Sequence, residues 1–162
     1  MRVSLVLPAL ALFIPVVPAQ TADLAFAALK RITGNWQATV GTKGTIIRLN
    51  LRAISNDSAV VETFTTPSGR ETLTIYHPDA DRVLATHYCA QGNQPRLTLD
   101  PNSTANAMTF RFLDATNLKS KDDSHLVRLV LKIKDNDHLE KTEVYTQRGS
   151  EDTTIYELTR VR

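Results

Sequence analysis

The chain has 162 residues, 42% of them hydrophobic and 22% charged, which fits one folded domain and excludes a disordered chain. Its formal net charge is +2, and its lysines and arginines are interleaved with acids. That distribution argues against a nucleic-acid-binding protein, which normally carries a clustered basic face.

The first 19 residues have the pattern of a cleavable signal peptide. Arg2 supplies a positive charge, residues 3–17 form an apolar run, and Val17-Pro18-Ala19 offers small residues for cleavage after Ala19. The run is short for a membrane span of roughly 20 residues. The pattern therefore predicts a periplasmic or secreted protein with no membrane span after cleavage. Cys89 is the only cysteine, so no internal disulfide is expected.

The mature chain, residues 20–162, opens with a predicted helix over residues 21–33. One apolar stripe runs along it, formed by Leu24, Ala25, Ala28, Leu29 and Ile32. Gly34 stands where a helix normally ends.

Ten short segments rich in β-branched and aromatic residues follow, separated by turn residues such as Pro67-Ser68-Gly69 and Asp135-Asn136-Asp137. The predicted strands are Trp36–Val40, Thr45–Ile54, Ala59–Thr66, Glu71–His77, Arg82–Cys89, Pro95–Leu99, Ala107–Asp114, Leu126–Lys134, Leu139–Gln147 and Thr153–Val161. Strands in simple succession form a meander, and closing it removes the exposed edges. The sequence thus predicts one all-β domain, a single antiparallel up-and-down β-barrel of about ten strands preceded by a short helix.

Alternation along the strands predicts which side chains face inward. In the second strand Ile47, Leu49 and Leu51 share one face. In the eighth strand Val127, Leu129, Leu131 and Ile133 are predicted to share the inner face.

Gly34-Asn35-Trp36 at the start of the first strand resembles the Gly-x-Trp signature of the lipocalin superfamily. That resemblance implies that Trp36 plugs one end of a lipocalin-like barrel and that Arg160 or Arg162 lies over its ring, a cation–π contact.

A longer pattern resembles an uncharacterised family of exported bacterial calycin-like proteins over nearly the whole mature chain. It consists of Phe26, Leu29, Ile32, Gly34, Trp36, Val61-Glu62-Thr63, Thr86–Arg96, Thr116-Asn117-Leu118, His125 and Tyr156–Arg160. The resemblance implies the barrel and export but no activity. The chain departs from the family where Val127 replaces a second histidine after His125, and in lacking a tryptophan near Glu143.

The segment from His87 to Arg96 is the densest collection of reactive side chains. His87 and Cys89 are two apart on a strand and share a face, whereas Tyr88 points to the opposite face. The Cβ atoms of His87 and Cys89 are roughly 7 Å apart on a strand, too far for a direct hydrogen bond between the two side chains. Cys89 is predicted to be a structural residue. His87 is either a hydrogen-bonded core histidine or a ligand contact.

No metal or other cofactor is predicted. His87, Cys89 and His125 lack the paired spacings of zinc or copper ligands, so zinc is a weak alternative. Haem rests on fold analogy alone. His77 is predicted to lie on the face opposite to His87, and His138 beside a turn is expected to be exposed.

Asn93, Gln94 and Arg96 belong to a polar loop at one barrel end. Gly92-Asn93 also suits a tight turn, the structural explanation of this loop. Arg96 offers a site for a carboxylate, and Glu62, in phase with Val60, is predicted to point inward as its partner. The pair is either part of a ligand site or a structural ion pair.

The leading hypothesis is a barrel that binds a small, partly apolar molecule inside. The predicted ligand contacts are His87, Tyr88, Asn93, Gln94, Arg96 and Glu62. One alternative is a hydrolase or isomerase with His87 as general base, assisted by Tyr88, Cys89 or Glu62. The other is a non-catalytic envelope interaction protein whose barrel is filled with side chains.

Overall fold

A computed structural model describes residues 22–42 and 44–162, so the predicted signal peptide lies outside the described residues. The elements are α1 (Ala22–Arg31), β1 (Gly34–Val40), β2 (Thr45–Ile54), β3 (Ala59–Thr65), β4 (Glu71–Asp79), β5 (Arg82–Tyr88), β6 (Gln94–Leu99), β7 (Ala107–Thr116), β8 (His125–Ile133), β9 (His138–Gln147) and β10 (Ser150–Val161). The predicted all-β fold is confirmed. It is a closed antiparallel barrel of ten strands with one short N-terminal helix.

Each strand pairs with its neighbours in sequence, and β1 pairs with β10 to close the barrel. Closure is in register at Trp36, which stands opposite Arg160 on β10 and Leu49 on β2. Because the chain is a meander, its connections alternate between the two ends. Helix α1 and the turns at 55–58 and 134–137 lie at one end, called here the plugged end. The turns at 66–70, 89–93, 117–124 and 148–149 lie at the other, called the open end.

Trp36 lies at the plugged end and is 1% exposed. Its indole N–H donates a hydrogen bond of 2.9 Å to the carbonyl of Ile32, just after α1. The Arg160 guanidinium lies 4.1 Å from the Trp36 ring centroid and donates to the carbonyl oxygens of Thr33 (2.8 Å) and Asn136 (2.7 Å). Arg160 therefore connects the segment after α1 to the β8–β9 turn while its guanidinium lies over the indole of Trp36.

The predicted inner face of β8 is wrong at Val127. Register shifts between Leu126 and Arg128, so Val127 is the extra residue of a β-bulge and has no partner on β9. Leu126 is fully buried and Val127 is only partly buried. Alternation fails here because a bulge moves every side chain before it to the other face.

The interior changes character along the barrel. Its plugged half is filled by apolar side chains, which include Ala25, Leu29, Trp36, Leu49, Leu51, Val83, Met108, Leu131, Leu139 and Leu158. Polar side chains are buried beyond them, towards the open end. Among residues 22–42 and 44–162, no helix has both the length and the hydropathy to cross a membrane.

Candidate functional site

Three charged side chains meet inside the barrel, contributed by β3 and β9. Lys141 is fully buried, and its ammonium donates a hydrogen bond to Glu62 Oε1 and lies 2.8 Å from Glu143 Oε1. Lys141 and Glu143 alternate with the outward-facing residues of β9, which places both on the face of the buried Leu139. One ammonium thus stands between two carboxylates, and we call these three residues the charged triad.

Glu62 has partners for both of its carboxylate oxygens. Besides the contact with Lys141, its Oε2 accepts a hydrogen bond of 2.7 Å from the phenol of Tyr76. Burial raises the pKa of Tyr76 well above its usual range, and the Glu62 carboxylate adds to the shift. Tyr76 therefore stays a neutral hydrogen-bond donor to Glu62.

The carboxylates also keep Lys141 charged. Burial by itself lowers the pKa of a lysine, but the negative charges of Glu143 and Glu62 outweigh this effect and raise the pKa of Lys141 above its usual value. The charged triad thus combines two carboxyl groups with one ammonium inside the barrel.

A second buried chain of polar groups surrounds His87, which is 1% exposed. Its Nδ1 lies 2.9 Å from the Thr74 hydroxyl and its Nε2 lies 3.1 Å from the Tyr145 phenol. Cys89 Sγ is 4.0 Å from the same phenol oxygen. Both ring nitrogens of His87 therefore have a hydrogen-bond partner. His87 and Cys89 do not contact each other directly, but both lie against the phenol oxygen of Tyr145.

Burial determines the protonation states of His87 and Tyr145 at neutral pH. It lowers the pKa of His87 to about 4, an effect that the Glu143 carboxylate opposes and the Lys141 ammonium reinforces. Burial also raises the pKa of Tyr145, and the Glu143 carboxylate adds to that shift. His87 and Tyr145 are thus both neutral at pH 7, and the hydrogen bond between them joins two uncharged groups.

A cavity of about 450 Å³ lies at the open end, above the two buried networks. Its walls are Phe64, Thr66, Arg70, Thr72, Cys89, Ala90, Gln91, Ser124, Glu143, Tyr145, Thr146, Gln147, Ser150, Glu151, Asp152 and Tyr156. Phe64 and Tyr156 form a tilted aromatic pair with ring centroids 5.1 Å apart. The size and the mixture of aromatic and polar walls suit one small organic molecule.

Glu143 and Tyr145 connect the buried networks to this cavity. Both line it, and the Glu143 side chain is only 9% exposed. One carboxylate oxygen of Glu143 faces Lys141, while the other has no hydrogen-bond partner within the described part of the chain. A ligand in the cavity therefore meets a carboxylate and a phenol that the barrel has already oriented.

Glu62 and His87 point into the barrel, but they lie beneath the cavity and do not line it. The predicted pairing of Glu62 with Arg96 is wrong, since Lys141 and Tyr76 donate hydrogen bonds to the two carboxylate oxygens of Glu62. Arg96 lies outside the barrel and forms a bidentate ion pair with Asp114 (Nε–Oδ1 2.6 Å).

The physical reason for the error at Arg96 is its strand phase. Pro95 and Leu97 are the buried residues of β6, so Arg96 between them must face solvent. The prediction of Tyr88 as a ligand contact is also wrong, because Tyr88 lies opposite Leu73 on the outer face and is 45% exposed.

Asn93 and Gln94 lie at the open end but not in the cavity. Gln94 is a structural residue, since its side chain bonds Thr116, Asn117 and the carbonyl of Gly92. Asn93 is buried and donates to the Ser124 carbonyl (2.9 Å), while its Oδ1 has no partner among the described residues. Asn93 thus fastens the β5–β6 turn to the β7–β8 loop.

The remaining candidates are dispersed. His125 is buried against Phe112 and its Nδ1 lies 2.7 Å from the Asp123 carbonyl oxygen, whereas His138 is exposed and paired with Asp135. Within the described ranges, no group of three or more histidine, cysteine or acidic side chains is placed to hold a metal ion. Cys89 is partly buried and forms part of the cavity wall.

The residues that sequence reasoning missed are Lys141, Glu143 and Tyr145. Their signal was present, because alternation from Leu139 puts all three on one face. Both faces of β9 carry polar residues, however, and Val144 on the opposite face is also apolar and buried, so the sequence does not distinguish the inner face from the outer.

Comparison of the chain with protein-family models and with curated proteins finds no match.

Proposed function

We propose that this protein is an exported binding protein that holds a small, partly apolar molecule in the cavity at the open end of its barrel. The observation that carries the proposal is the cavity itself, about 450 Å³ in volume and bounded by aromatic side chains above a buried polar floor. Barrels of this size enclose one small ligand. The opposite end is filled by Trp36 and α1, which leaves the open end as the entrance.

The cavity walls favour a molecule with an apolar body and a polar group. Phe64, Tyr145 and Tyr156 offer aromatic surface. Hydroxyl and amide side chains near the open-end turns, such as Ser124 and Gln91, offer hydrogen bonds. Such a division between apolar walls and a few oriented polar groups is typical of small-molecule sites.

The geometry supports binding better than catalysis by His87. A general base must reach the proton that it abstracts. The ring of His87 is 1% exposed, lies outside the cavity walls, and has Thr74 and Tyr145 at its two nitrogens. A substrate in the cavity would contact Tyr145 first, and burial raises the pKa of that phenol.

Export belongs to the same proposal. It rests on the signal-peptide pattern of residues 1–19 and on the resemblance to exported calycin-like proteins. Expression of the full chain in a bacterial host, followed by intact-mass measurement of the periplasmic fraction, tests it. We expect a mature chain that begins at Gln20. Unprocessed chain in the cytoplasm would contradict export without bearing on the cavity.

Native mass spectrometry of the protein purified from the periplasm tests the binding function. We expect a population carrying one retained small molecule that is released on denaturation. The matched variant is Thr72→Trp, which fills the cavity from β4 and should carry none. The proposal is wrong if neither retained nor added amphipathic molecules bind the parent protein, and the interaction-protein hypothesis would then take its place.

A further inference from the structure

We infer that the cavity selects a cationic ligand, an amine with an apolar body, and that Glu143 is its counter-charge. The inference rests on the proposed binding function and adds the chemical class of the ligand. It is argued from the charge balance of the site, the free oxygen of Glu143 and the aromatic walls.

The buried charges do not balance. Lys141 is the single cation in contact with Glu62 and Glu143, and it lies between the two carboxylates. Glu62 receives hydrogen bonds at both oxygens, from Lys141 and Tyr76, so it has no acceptor position left for a ligand. The two carboxylates share one ammonium, and Glu143 is the one that lines the cavity and can present the surplus negative charge there.

Glu143 presents that charge to the cavity in a poorly solvated position. Its side chain is 9% exposed, and no hydrogen bond to its second oxygen is found among the described residues. That oxygen is not a fully buried atom, so it is open to the cavity. A carboxylate with so little exposure is poorly hydrated and gains from a donor or cation that reaches it. An ammonium group entering from the open end would supply both the charge and the hydrogen bond.

The charged residues of the cavity walls are mostly acidic. Three of them are acidic, Glu143, Glu151 and Asp152, and Arg70 is the one base among the described lining residues. Glu151 is partly compensated by Arg128 at 3.6 Å. The entrance thus attracts cations and repels anions.

The aromatic walls are suited to a cation as well. The Lys141 ammonium already lies 4.7 Å from the Phe64 ring centroid, and Tyr156 packs against the same ring. Tyrosine and phenylalanine faces attract ammonium groups, most strongly where water is excluded. Lys141 does not compete with a ligand, because it is fully buried and does not line the cavity.

Calorimetric titration with three probes of one body length tests the inference, using hexylammonium, hexanol and hexanoate at neutral pH. We expect hexylammonium to bind at least about tenfold more tightly than hexanol, and hexanoate to bind most weakly. In Glu143→Gln, hexylammonium should lose that advantage over hexanol. The control Glu157→Gln removes a carboxylate from the outer face, where its side chain is 64% exposed, and should change none of the affinities.

The outcomes separate the two claims. If the three probes bind with equal affinity, or if hexanoate binds most tightly, the cavity keeps its function and the inference of a cationic ligand is wrong. If none of the probes binds, the inference is wrong, and the native mass spectrum of the periplasmic protein decides whether the binding function fails as well. The order of affinities in the parent protein decides between these outcomes even if Glu143→Gln does not fold.

Discussion

Burial alone would lower the pKa of Lys141, but the carboxylates of Glu143 and Glu62 raise it above the usual value. Replacing Lys141 by methionine keeps the length of the side chain but leaves Glu62 and Glu143 buried without a cation. Breaking a buried ion pair from one side costs about 3–5 kcal/mol. We expect Lys141→Met to lower the free energy of unfolding by that amount in urea titrations.

Lys132→Met is the matched control for this substitution. Lys132 pairs with Glu140 on the outside of the barrel, and its side chain is 52% exposed. Exposed ion pairs contribute less than about 1 kcal/mol. Equal losses in the two variants would show that the charged triad is not a buried structural unit.

The protonation of His87 makes stability depend on pH. Its pKa falls from the ordinary value of 6.5 to about 4 on folding, so between these values the unfolded chain binds more protons than the folded one. Stability must therefore decrease as pH falls through this window. The loss attributable to His87 from about pH 8 to about pH 5 is about 2 kcal/mol.

Unfolding titrations at several pH values check this dependence. In His87→Gln the decrease between neutral and mildly acidic pH should shrink by that amount. His77→Gln removes a histidine from the outer face and should keep the full decrease. An unchanged decrease in His87→Gln would contradict the assignment of the titration to His87.

At the scale of elements, the junction of α1, β1 and β10 depends on one glycine. Gly34 adopts φ +134°, a conformation that side chains rarely tolerate, and a Cβ there would lie 2.5 Å from Arg160 Nη1. Gly34→Ala therefore strains the backbone and also displaces the guanidinium from the Trp36 ring. Gly69 has a positive φ of +78° but open space around it.

We expect Gly34→Ala to cost at least about 1 kcal/mol more than Gly69→Ala in thermal or chemical unfolding. In an Arg160→Ala background the steric part of the difference should disappear, which a double-mutant cycle measures. A cost at Gly34 equal to that at Gly69 in both backgrounds would mean that Arg160 does not define the plugged end.

The strands were predictable because their signals are local. Period-two alternation and turn residues locate all ten strands to within a few residues, and β2 is predicted to the residue. The bulge at Val127 was not predictable, since Leu126 and Val127 are both apolar and either could face inward, and only pairing with β9 reveals the extra residue. A bulge is a property of two strands, whereas alternation is read from one.

The site was predictable only in part, for the same reason. Glu62 was placed inside from the phase of its own strand, whereas His87 was left as either a hydrogen-bonded core histidine or a ligand contact. The partner of Glu62 was not found because Lys141 is 79 residues away in the chain, and Arg96 is the nearer basic candidate. Which inward side chains meet depends on strand tilt and stagger around the barrel, and a sequence pattern does not contain these.

For the whole molecule, the interior divides into three zones along the barrel axis. An apolar plug fills one end, buried hydrogen-bonded networks occupy the middle, and a cavity opens at the other end. The first zone supplies stability without a disulfide. The second orients Glu143 and Tyr145 towards the third. Cys89 in the cavity wall offers a direct probe of binding at the open end.

The deciding measurement is the rate at which iodoacetamide alkylates Cys89, the only cysteine of the chain, at increasing concentrations of hexylammonium or hexanol. The control is Glu157→Cys in a Cys89→Ser background, which places the thiol on the outer face. We predict that at least one probe slows alkylation of Cys89 in a saturable manner and leaves the control thiol unchanged. Alkylation of Cys89 that neither probe slows, or that slows equally at both positions, would contradict a binding cavity at the open end.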